Sequence, residues 1–101
     1  MKKIYHPIPL EDVALFCKKH YIEKMSLFGS VLTPQFGPKS DVDFLVKFNK
    51  NHIPSLFDVV DMQEELCQIV GRPIDLVTEK SLSHFFREEV LNQALNIYEK
   101  P

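Results

Sequence analysis

Asp41 and Asp43 are separated by one residue and open an apolar run, Phe44-Leu45-Val46. On an extended strand alternate side chains share a face, so the two carboxylates point the same way with Cα atoms roughly 7 Å apart. Such a pair can hold one or two Mg²⁺ ions, which take oxygen ligands and keep water or substrate phosphate in their other positions. Val42, Phe44, Val46 and Phe48 then fall on the opposite face, where a core can take them. Upstream, a short apolar run from Met25 to Phe28 stops at Gly29-Ser30, with ten residues between that pair and Asp41. Gly29 allows a backbone to approach a ligand closely. Ser30 suits a helix N-cap, and the N–H groups after a capped start point at an anion. One end of this stretch therefore suits a triphosphate and the other its metal. Asp41 and Asp43 could also simply begin a strand and stay hydrated, and Gly29-Ser30 could be a turn and a cap and nothing more.

The elements that must position these residues follow from hydrophobic period and turn chemistry. Met1 to Pro9 is polar, carries two prolines and is expected to lie extended on the surface. Leu10, Val13, Ala14, Cys17 and Tyr21 keep helical spacing, which predicts a helix ending near His20. A strand over roughly Lys24 to Phe28 leads into a helical turn at Ser30 to Leu32, which Pro34 stops. The second strand covers roughly Val42 to Phe48. Leu56, Val59, Val60, Leu66, Cys67 and Val70 form one stripe of a helix from about Ser55 to Val70, with Gly71 as its C-terminal cap. Pro73 to Thr78 alternates as a third strand, Ile74 and Leu76 on one side, Asp75 and Val77 on the other. Ser81 or Ser83 is expected to cap a last helix holding Phe86, Val90, Leu91, Ala94, Leu95 and Tyr98 at helical period. Phe85 and Phe86 read as core rather than as a base-stacking platform.

The fold class is thus α+β, an α-β-α-β-α-β-α chain with a three-stranded mixed sheet in order 1-2-3. The first two strands, joined by a short connection, are expected antiparallel. The second and third, joined through a helix, are expected to form a right-handed parallel crossover. Asp75 then sits on the strand beside Asp41 and Asp43. Parallel neighbours lie about 4.8 Å apart, so three carboxylates can converge on a metal pair. A carboxylate inside an apolar strand is costly to bury unpaired. Asp75 could equally face solvent or pair with Arg72.

Gly-Ser, ten residues and then Asp-x-Asp resembles the signature of the DNA polymerase beta-like nucleotidyltransferases. It is most similar to their smallest members, the minimal nucleotidyltransferase (MNT) proteins that act as antitoxins beside HEPN toxins. The segment Gly71-Arg72-Pro73-Ile74-Asp75-Leu76-Val77 also looks like that family's third-carboxylate strand, and the likeness runs from about Leu10 to Tyr98. The resemblance implies ATP with its triphosphate over Gly29 and Ser30, two Mg²⁺ ions on Asp41, Asp43 and Asp75, and transfer of AMP to a hydroxyl of a HEPN toxin. It departs from the family in one respect. An arginine often follows the family's Gly-Ser, whereas Val31, Leu32 and Thr33 follow here, with no basic residue before Lys39. Lys39, Arg72 or Arg87 could supply that charge, though each also reads as a solvated surface residue. A second possibility is a binding module that neutralises its partner by contact while its own site is weak or inert.

At 101 residues the chain reads as one domain over positions 1–101, with room for one modest core and no substrate lobe. A composition of 45% hydrophobic and 26% charged residues fits an ordinary soluble globular protein. The formal charge of −2 argues against direct nucleic-acid binding, which favours a basic face. No apolar run is long enough to span a membrane, and no secretory signal opens the chain. Cys17 and Cys67 sit in helical patterns and read as buried thiols of a cytoplasmic protein. The four histidines lack zinc-ligand spacing. An oligomer is compatible with all of this.

Overall fold

A computed structural model describes residues 2–101, so Met1 lies outside the described residues. The elements in order are α1 (Leu10–Lys19), β1 (Ile22–Phe28), a 3₁₀ turn (Gly29–Leu32), β2 (Val42–Phe48), α2 (Leu56–Val70), β3 (Ile74–Thr78), a second 3₁₀ turn (Glu79–Ser81), α3 (Arg87–Gln93) and β4 (Leu95–Glu99). The expected pairings of the first three strands are present: β1 runs antiparallel to β2, and β2 parallel to β3.

The sheet, however, has four strands in order β3-β2-β1-β4, not three in order 1-2-3. The expected last helix stops at Gln93. Ala94 takes an extended conformation (φ −60°, ψ 139°), and Leu95–Glu99 pairs antiparallel with β1. Without β4, β1 would leave a row of N–H and C=O groups open while carrying the fully buried Met25 and Leu27. Pairing satisfies those groups, which outweighs the helical spacing of the local side chains. A bulge between Met25 and Ser26 absorbs the irregular alternation of Leu95, Ile97 and Tyr98.

One face of the sheet meets α1 and α2. Val42, Phe44 and Val46 of β2 share it with Met25 and Leu27 of β1, against Val13, Phe16 and Cys17 of α1 and Met62, Leu66 and Val70 of α2. Each fully buried side chain of this size contributes about 1.5–3 kcal/mol of transfer free energy. Phe48 is half-buried beside this core. The expected helix stripes hold at Val13, Cys17, Leu66 and Val70, which are buried, but not at their edges. Leu10 and Tyr21 are exposed while Phe16 is buried, and Leu56 and Val60 are exposed while Met62 is buried. Phe85 and Phe86 are not core: 86% and 59% of their surface is open to solvent.

Helix ends follow local chemistry. Ser55 caps α2 in a reciprocal box with Asp58: Asp58 N–H donates to Ser55 Oγ at 3.2 Å, and Ser55 N–H to Asp58 Oδ2 at 3.0 Å. Gly71 closes α2 in the left-handed region at φ 78°, as expected. Neither Ser81 nor Ser83 caps α3, since Phe86 holds that position without a side-chain bond. Ser81 instead closes its own turn, its Oγ donating to Thr78 O at 2.8 Å. Lys2 to Pro9 forms no helix or strand. Tyr5 N–H bonds Val31 O at 2.8 Å, and Ile4 and Ile8 pack on the core. No described helix is long and apolar enough to cross a membrane.

Candidate active site

β1 ends at Phe28, which pairs with Asp43 across the antiparallel ladder. The chain then turns sharply at Gly29 (φ 77°), and a Cβ built there would collide with Asp43 Oδ2. Glycine is required twice over, by the backbone conformation and by the carboxylate lying against its Cα. Residues 29–32 form a short 3₁₀ turn anchored by the fully buried Val31. Ser30 is not the N-cap expected of it. Phe28 occupies that position, and the turn makes no side-chain cap bond. Ser30 contributes its carbonyl, which accepts from both Thr33 N–H and Thr33 Oγ1 at 2.9 Å. The turn is too tight and too short to present a capped α-helix start to an anion.

Asp43 lies on the sheet face opposite the helices, and its parallel partner on β3 is Asp75. Asp43 is half-buried, Asp75 is exposed on an edge strand, and Asp41 is exposed just before β2 begins at Val42. The Asp43 carboxyl is pushed up from its ordinary 3.8 to about 6, first by burial, then by the negative charges of Asp75 and Asp41. The three aspartates are therefore electrostatic neighbours. None of them takes part in an ion pair among the described residues, where the salt bridges are those of Glu65 with Lys19 and His20. Nor does any group of three His, Cys, Asp or Glu side chains there stand in ready-made ligand geometry. The donor set fits a hard divalent cation all the same: carboxylate oxygens, mutual repulsion and no competing basic partner.

The basic residues considered for phosphate lie elsewhere. Arg72 does not pair with Asp75. Its Nη2 donates to Gly37 O and Ser40 O, each at 2.6 Å, and its guanidinium lies 4.7 Å from the Phe36 ring centre. Arg87 donates to Leu82 O at 3.4 Å, and its Nε is buried without a partner. Lys39 is exposed. Sequence reasoning missed the part of Arg72 and Phe36 in this loop. Only their proximity to Gly37-Pro38 and to Gly71 and Pro73 hinted at a built turn.

Residues 11–101 match the family model described as polymerase beta, nucleotidyltransferase. Protein adenylyltransferase MntA of Thermococcus cleftensis is 32% identical over 76 residues, 75% of this chain and 75% of that protein. Among solved structures, a toxin-antitoxin complex with AMP-PNP matches with a TM-score of 0.75 at 17% identity, covering 92% of this chain and 75% of that one. A complex of a tri-AMPylated Shewanella oneidensis HEPN toxin with its MNT antitoxin matches with a TM-score of 0.66 at 17% identity, over 90% of this chain and 70% of that one. The two structural matches speak for the fold, a mixed α+β sheet with helices. With the family model spanning nearly all of the chain, and a Gly29 turn pressed against paired aspartates, the chain belongs to the polymerase beta nucleotidyltransferase family.

Proposed function

We propose that this chain transfers AMP from ATP to a hydroxyl of a partner protein of the HEPN toxin class and so acts as its antitoxin. One observation carries this reading: Asp43 is half-buried, unpaired among the described residues, opposite Asp75, and pressed against Gly29, where a Cβ would collide with its carboxylate. The names of the relatives support it. The Thermococcus protein is called a protein adenylyltransferase, and the toxin in the Shewanella complex carries AMP groups.

Gly29 lets the Asp43 carboxylate lie against the turn backbone, so a triphosphate over that turn would meet the carboxylate and its metal together. Ser30 offers its hydroxyl there, unused by any cap. Asp41, Asp43 and Asp75 would hold Mg²⁺, which when bound supplies Lewis-acid stabilisation of phosphate charge and lowers the pKa of the acceptor hydroxyl. The hydroxyl oxygen attacks the α-phosphorus, the bond from that phosphorus to the bridging oxygen breaks, and pyrophosphate leaves. The proton passes to Asp75, the exposed carboxylate opposite Asp43 on β3, or to solvent. Asp75 would orient the hydroxyl and receive its proton rather than drive the step.

A second reading, neutralisation by contact alone, is favoured by one feature. Val31, Leu32 and Thr33 stand where a basic side chain would meet phosphate, and Arg72 is committed to a loop. Asp75→Asn separates the two. Asn keeps size and hydrogen bonding on an exposed strand position, so docking should persist while transfer slows by orders of magnitude. Co-expression with the toxic partner, followed by growth and partner mass, is the test. Loss of protection with loss of the added nucleotide mass supports transfer. Full protection with an unmodified partner overturns it.

A further inference from the structure

We propose that Arg72 is a positioning residue that sets the place of Asp41 in the carboxylate group, an inference that rests on the metal-site reading above. Asp41 precedes β2 and has no ladder bond of its own, so its place depends on the peptides on either side. On its N-terminal side, Ser40 O is held by Arg72 Nη2 at 2.6 Å, and this carbonyl is coplanar with the Asp41 N–H and Cα. On its C-terminal side, Val42 N–H donates to Pro73 O at 3.0 Å. Residues 72 and 73 thus grip both flanks of Asp41, and Asp75 follows two positions later on β3.

The loop is shaped to meet this grip. Ser40 N–H donates to Gly37 O and Gly37 N–H to Ser40 Oγ, each at 3.0 Å, closing a turn. The carbonyls of Gly37 and Ser40 converge on a single guanidinium nitrogen. Bonds this short to a charged donor are among the stronger neutral-acceptor contacts. Phe36 covers the guanidinium at 4.7 Å and lies 5.6 Å from the His6 ring, tying the loop to the N-terminal strap. Two carbonyls and an aromatic face hold Arg72 in place, leaving it a structural cation beside an acidic site rather than a partner for phosphate. Lysine would keep the charge but lose the flat face for Phe36 and part of the reach.

The test is Mn²⁺ binding by electron paramagnetic resonance on the full chain without nucleotide, with thermal melting alongside. Arg72→Ala should weaken Mn²⁺ binding about ten- to a hundredfold, the usual cost of losing a group that orients a ligand. Arg72→Lys should fall between Arg72→Ala and wild type. Asp41→Ala should bind weakly, and adding Arg72→Ala to it should cost little more, because both changes remove the same contribution. In transfer assays the half-saturating metal concentration should rise while the rate at saturating metal stays near wild type. If Arg72→Ala does not fold, Arg72→Lys and Phe36→Leu carry the same test. Wild-type Mn²⁺ affinity in the folded arginine variants, or losses that add with Asp41→Ala, would overturn the inference alone. Absence of Mn²⁺ binding by the wild-type protein would overturn the metal-site reading and this inference with it.

Discussion

Asp43 is held in a state that folding alone does not favour. Its carboxyl, raised to about 6, is ionised near neutral pH at a cost set by burial and by Asp75 and Asp41. The sign follows from linkage. The group contributes its full stability when protonated, below 3.8, and loses that contribution as pH rises through about 6. Asp43→Asn mimics the protonated form. In divalent-free buffer it should match wild type at low pH and exceed it above about pH 6, by about 1–2 kcal/mol once solvent screening of a half-buried group is allowed for. The same variant should lose transfer. Urea unfolding at several pH values checks the first claim, and a pH-independent difference would contradict it. Glycines give a paired contrast. Gly29→Ala forces a Cβ into Asp43 Oδ2 at a left-handed φ, so it should cost about 1–3 kcal/mol and abolish transfer. Gly37→Ala meets only Gln35 O at 3.8 Å and should be nearly silent in both assays.

At the scale of elements, the C-terminal segment separates local preference from tertiary pairing. Leu91 and Phe86 keep helical spacing with Val90 and Ala94 yet face solvent, whereas Ile97 packs on the core from β4. Phe86→Ala and Leu91→Ala should each change stability by no more than about 0.5 kcal/mol, and Ile97→Ala should cost about 1–2 kcal/mol. Denaturant midpoints decide it. A large loss for Phe86→Ala with none for Ile97→Ala would restore the helical assignment. α2 was the most legible element. Its span and its Gly71 cap were read directly, whereas the Ser55–Asp58 box, equally local and encoded as Ser-x-x-Asp, was missed. The face it buries was less legible, because Leu56, Phe57 and Val60 are as apolar as Met62 and Leu66, and only the sheet decides which of them it meets.

Taken as a whole, the molecule closes α1 and α2 over one sheet face and leaves the aspartates on the other. Cys17 lies at the centre of the closed side, 3.8 Å from Met25 Sδ, with burial pushing its thiol up to about 12. Cys67 was expected buried and is only half-buried. Ellman's reagent should therefore label one thiol readily in the native protein and the other only at the rate of global opening, with both reacting in denaturant. Equal native rates would contradict this closure. The contrast extends to what each level of description determines. Asp41-x-Asp43, Gly29, the parallel crossover to Asp75 and the Gly71 cap of α2 were legible in the amino-acid order, because each depends on alternation, turn chemistry or chain direction over short spans. The order β3-β2-β1-β4, the solvent face of Phe85 and the bond from Arg72 to Gly37, 35 residues away, were decided only in three dimensions. Those depend on which open backbone edges and carbonyls meet once the chain has closed, and residue spacing does not encode that meeting.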